Sequence, residues 1–101
     1  MSGANAVRGE AVLALAGAEL RLRPSFAALV AAEAELGPLF ALVERAAAGG
    51  LTLAEMAALL WHCLDAPAMT RAAFCEALVE AGIVAVTPAL RVLLGQVLAG
   101  R

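Results

Sequence analysis

The chain has 101 residues, 63% of them hydrophobic, a net charge of −2 and no Lys, so the basic surface that nucleic-acid binding needs is missing. Its longest uncharged run, Ala81 to Leu90, is ten residues and contains Gly82 and Pro88, which leaves no segment able to span a bilayer. The length suits one domain, 1–101, around a single core, and the start MSGANAVRGEA has no apolar stretch of signal-peptide length, so the protein is expected in the cytoplasm.

Residues 1–9 are small and polar and are expected to be flexible. From Glu10 to Arg23 the apolar residues recur every second position, the pattern of a half-buried β-hairpin over 10–23. With Gly17 and Ala18 as a two-residue loop, Leu15 falls opposite Leu20 and Leu13 opposite Leu22, so one face is leucine. Arg21 and Arg23 point the other way. A two-stranded ribbon is marginal alone and calls for helices on its apolar face.

Pro24 marks the change of period, and 25–99 reads as helical: about five short helices in a compact bundle, a mainly α (α+β) fold. Ser25 opens the first helix, and a helical wheel places Phe26, Leu29, Val30 and Leu36 on its core side together with Glu33. A carboxylate in an apolar stripe needs water or a partner. Glu33 therefore either reaches solvent at the core's edge or is held by Arg21, Arg23 or backbone amides, fixing helix to hairpin. Gly37-Pro38 divides this helix from the next, with Gly in a left-handed cap and Pro in the first turn. The second stripe is Leu39, Leu42, Val43 and Ala46, and Gly49-Gly50 ends it. Thr52-Leu53-Ala54-Glu55 matches a capping box and opens a helix to about Asp65 whose wheel leaves Leu59 on an uncovered flank. After Ala66-Pro67-Ala68 a further helix runs from about Thr70 to Ala81, with Phe74, Ala77, Leu78 and Ala81 inward and Val79 outward. Ile83 to Val86 reads as a connector, because Thr87-Pro88 suits the start of the last helix. There Leu90, Leu93, Leu94, Val97 and Leu98 form a wide apolar face.

His62, Cys63, Asp65 and Cys75 are the one cluster that invites a metal or catalytic reading. Adjacent helical residues diverge by about 100°, so His62 and Cys63 do not suit one ion, and Cys75 lies beyond the Pro break. No Gly-rich phosphate loop follows a strand, and Trp61 and Phe40 suit a core. No catalytic residue, metal or cofactor is expected, and the cysteines read as free packing thiols.

A hairpin with Gly17 in its turn, Leu22-Arg23-Pro24 closing its second strand, Ser25, Phe26-Ala27-Ala28-Leu29, Glu33 and Gly37 resembles a family of small proteins from gene transfer agents and tailed phages. The resemblance implies a tail assembly chaperone that coats the tape measure protein, with the tail tube protein as a further partner, and is then absent from the mature particle. The alternatives are a structural tail tube component or a cytoplasmic helical adaptor or dimerisation module unrelated to phage. Independently of the resemblance, the hydrophobic fraction exceeds the usual ~45–50% even though much of it is Ala. A surplus of Leu and Val points to an apolar surface meant for a partner or for self-association. The positions the wheels leave open, Leu59, Val79, Val92, Leu94 and Leu98, are the expected contact residues.

Overall fold

A computed structural model describes residues 11–15 and 17–99. Among them the chain forms β1 (Ala11–Leu15), β2 (Ala18–Leu22), α1 (Phe26–Leu36), α2 (Leu39–Ala47), α3 (Leu53–Cys63), α4 (Arg71–Ala81) and α5 (Ile83–Ala99). The mainly α fold opening on an antiparallel hairpin is thus as the sequence indicates. The expectation for residues 1–9, and Glu10 at the head of the first strand, lies outside the described residues.

The register of the hairpin differs from expectation by one pair. Leu15 pairs with Ala18, Leu13 with Leu20 and Ala11 with Leu22, so Ala18 lies in β2 and not in the loop, and Gly17 at φ 77 directly precedes that strand. A slip of two residues in the sum of partners preserves side-chain parity, and the leucine face survives. Leu13, Leu15 and Leu22 are buried, and α4 and α5 lie against β1.

The C-terminal end of β2 is joined to the exit of α3. Leu22 bridges Leu64 in antiparallel fashion, the Arg23 amide donates to the Cys63 carbonyl at 2.6 Å, and the Asp65 amide donates to the Arg21 carbonyl at 2.9 Å. Leu64 is accordingly extended (φ −64, ψ 133), and α3 stops at Cys63, short of the expected Asp65. Ala66, at φ 55, then turns the chain away before Pro67.

The helix starts follow the capping residues. Ser25 Oγ accepts from the Ala28 amide and Thr70 Oγ1 from the Ala73 amide, each at 3.1 Å. At α3 Thr52 and Glu55 exchange both capping bonds, at 3.0 and 3.1 Å, so the box is complete. The Thr52 amide, with Arg45 of α2 at 2.6 Å, lowers the Glu55 carboxyl below its ordinary pKa. α2 ends in a Schellman motif, in which the Gly50 amide donates to the Arg45 carbonyl and the Gly49 amide to the Ala46 carbonyl.

Glu33 is exposed, and its Oε2 accepts from the Leu39 amide at 3.0 Å. The partner is a backbone amide, but the link runs from α1 to the N-terminus of α2, where orphan amides and the helix dipole favour a carboxylate. Glu33 thus reaches solvent, as the first alternative has it, and is held by a backbone amide, but that amide belongs to α2 and not to the hairpin. Gly37 between the two helices is not left-handed either: at φ 86, ψ −171 it is extended in a region essentially reserved for glycine. Gly82, at φ 88, ψ 153, makes the second such corner and turns α4 into α5 through 116°.

Two further expectations fail for packing reasons. In α1 the buried residue is Ala32, Leu29 and Leu36 are half-buried, and Phe26 and Val30 face solvent, Phe26 at 85% exposure. The helix presents its small residues to α3, letting the two backbones approach, and so rotates its larger side chains away. The segment Ile83 to Val86 is the first turn of α5 and not a connector, because helical geometry there carries Val86 into the core. Pro88 lies inside the helix, and the Thr87 hydroxyl donates to the Ile83 carbonyl at 2.8 Å.

One polar cluster ties three helices together. Glu35 of α1 meets Nε2 of His62 (α3) at 2.8 Å and accepts two bonds from the Arg71 guanidinium (α4) at 3.0 and 2.5 Å. The bidentate Arg71 contact, followed by His62, draws the Glu35 carboxyl down from 4.5 to about 2. Behind it the core runs through Leu42, Leu59, Leu60, Cys63, Phe74 and Leu93, and Trp61 tilts onto Phe74 with ring centroids 5.7 Å apart.

These features set three stability tests, read by chemical denaturation with Trp61 fluorescence. Leu22→Ala empties the junction of hairpin and α3 and is expected to lower stability by about 2–5 kcal/mol. Gly82→Ala meets no neighbouring atom but demands a forbidden backbone, costing about 1–3 kcal/mol, whereas Gly95→Ala in open helix interior stabilises by about 0.5–1 kcal/mol. A carboxyl lowered from 4.5 to about 2 favours the folded state throughout the range above pH 4.5 and loses that effect as pH falls through about 2. Glu35→Gln is therefore expected to flatten the decline of stability across this acid window, and an unchanged decline would remove Glu35 from its cause.

Candidate interaction surface

The predicted contact residues divide sharply. Leu59 is 0% exposed, because α3 is covered by α1 on the side that a one-partner wheel leaves open. It belongs to the core and is no surface residue. Val92 and Leu94 are half-buried against the core, while Val79 and Leu98 stand out at 63% and 62% exposure. Phe40, expected inside, is exposed, as are Leu53 and, at the α4–α5 corner, Ile83 and Val84. Trp61 is half-buried against the core.

These exposures produce two apolar surfaces of opposite rim charge. One is a groove of about 360 Å³ between the end of α2, α3 and α5, whose walls include Leu51, Met56, Ile83, Leu90 and Leu94. Arg91 is the one charged residue in its lining, and it makes no ion pair among the described residues. The other is the outer face of α4, where Val79 lies beside Ala72 and Cys75 and is flanked by Glu76 and Glu80. Neither carboxylate has a hydrogen-bond or ion-pair partner among the described residues. One shape is neutral with a positive rim, and the other is apolar with a negative rim.

The residues that invited a chemical reading are held apart. His62 is directed to Glu35 and the Arg71 pair, while Cys63 faces the core, where burial pushes its thiol up to about 12. A thiol so displaced is a packing group and a poor nucleophile. Cys75 is half-buried on α4. Among the described residues no three of His, Cys, Asp and Glu converge at metal-binding range. Arg21 and Arg23 flank the seam, their backbone groups bonding Asp65 and Cys63. Sequence reasoning missed Glu35, whose partners lie 27 and 36 residues away, beyond any local spacing rule.

Comparison with curated proteins and with solved structures gives no match. Against protein families, the one described as "Phage tail tube protein, GTA-gp10" matches residues 8–100, nearly the entire chain. That description overturns the expectation of a chaperone that coats a tape measure protein and departs, and with it the expectation of absence from the mature particle. It agrees instead with the alternative of a structural tail tube component. The wider resemblance to gene transfer agents and tailed phages holds, and the chain belongs to the GTA-gp10 phage tail tube protein family.

Proposed function

We propose that this chain is a structural subunit of the tail tube of a phage-like particle, working through packing against other subunits and not through catalysis. The observation that carries this reading is the family match over residues 8–100. It is supported by the apolar side chains that the fold leaves outside, above all Val79, Val84 and Leu98, which suit permanent burial between subunits. A tape measure protein is in this reading a fellow component of the tail.

Tube rings are generally built from strands joined edge to edge, and this chain has one short hairpin among its described residues. β2 is bridged at its C-terminal end by the exit of α3, while β1 is an uncharged strand, Ala-Val-Leu-Ala-Leu, without the Lys or Pro that blunts exposed edges.

Quantitative mass spectrometry of purified particles tests the role directly. The chain is expected at many copies per particle, and cells lacking it are expected to yield particles without complete tails. Abundance in the lysate together with absence from purified particles would overturn the assignment.

A further inference from the structure

The groove and the outer face of α4 carry opposite rim charges on the same chain, and this pairing identifies what each one receives. We infer that the outer face of α4 of one copy docks into the α2–α3–α5 groove of the next, in a head-to-tail contact; this rests on the tail tube reading and names the surface through which subunits join.

Three observations carry it. The apolar parts match in kind, with Val79 at 63% exposure on the α4 face and Leu51, Met56, Leu90 and Leu94 on the groove wall. The charges match in sign, with Glu76 and Glu80 beside Val79 and Arg91 on the groove, and none of the three has an ion-pair partner among the described residues. Groups left unpaired in one copy would be paired across two. Finally, the two shapes occupy different helices that part at Gly82 through a 116° bend. A copy that docks the α4 face, its ridge helix, still offers its groove, so the contact is heterologous and propagates into a ring or a filament instead of stopping at a dimer. A closed two-fold dimer would need one self-complementary patch, whereas like would meet like at either surface here.

Charge reversal tests the contact on the full chain. Arg91→Glu places an acidic groove opposite an acidic ridge, and the double variant Glu76→Arg with Glu80→Arg places a basic ridge opposite a basic groove. Each alone is expected to self-associate at least about tenfold more weakly than wild type in sedimentation velocity. Mixed one to one, the two variants are expected to recover assembly, because every ridge in an alternating chain then meets a groove of opposite sign. That recovery requires both variants to be folded, which separates the contact from misfolding. Val79→Asp is expected to lose association with no rescue by either variant. A wild type that stays monomeric to about 1 mM, or variants that associate like wild type, or a mixture that fails to recover, would overturn the contact. If reversal leaves association unchanged while the chain is still found in particles, the tube role stands without this contact. If ridge and groove associate as described but the chain is absent from particles, the contact stands without the tube role.

Discussion

The backbone seam between β2 and the exit of α3 is the constraint on which the rest of the structure depends. A two-stranded hairpin has too little buried surface to persist alone, and the helices that follow have short apolar stripes that need a common floor. Bridging Leu22 to Leu64, with the amide of Arg23 on Cys63 and that of Asp65 on Arg21, makes the hairpin and α3 one body. It closes the chain between them, so α1 and α2 must lie within the arc that the seam defines. α1 therefore runs along α3, and the Glu35 cluster joins both to α4. The seam also occupies the C-terminal end of the outer β2 edge, and free edges are the feature most prone to indiscriminate pairing.

Much of this fold is legible in the sequence where the signal is local. The switch of period at Pro24, the Thr52–Glu55 box and the cap residues Ser25 and Thr70 all act over three or four residues, and each sits where the local rule puts it. The hairpin loop moved by one residue, yet the leucine face endured, because parity and not register decides which side is buried. Elsewhere one local rule outweighed another. Thr87-Pro88 has the form of a helix start, but Val86 needed a helical turn before it to reach the core.

The misplaced faces have a different origin. A helical wheel assumes one partner and ranks residues by hydrophobicity, so it buries Phe26 and Val30 in α1 and exposes Leu59 in α3. The structure reverses both. α3 meets both α1 and α4, which takes in Ala58 and Leu59, and the one residue of α1 that is fully buried is Ala32. Tight approach of two helices at small residues gains close packing along the whole contact and leaves bulky side chains outside. The candidate surface was thus legible only in sum: composition announced a surplus of apolar side chains, but the fold alone decides which ones form it. Val79 and Leu98 were visible because each falls outside the buried stripe of its helix.

That surplus also bears on why a tube subunit suits the chain better than a departing chaperone. A chaperone must release its client, and release is easiest from a surface that is tolerable in water. Here apolar side chains such as Val84, 87% exposed, stand at the α4–α5 corner next to a ridge and a groove of opposite rim charge. Exposure of that kind is costly for a free protein, and repetition offsets it, since each added copy covers what the previous one leaves open. The modest net charge of −2 fits the same logic: with little overall repulsion between copies, a few placed charges can set direction without opposing growth. Specificity then comes from Arg91 and the two ridge carboxylates, and area from the apolar residues between them.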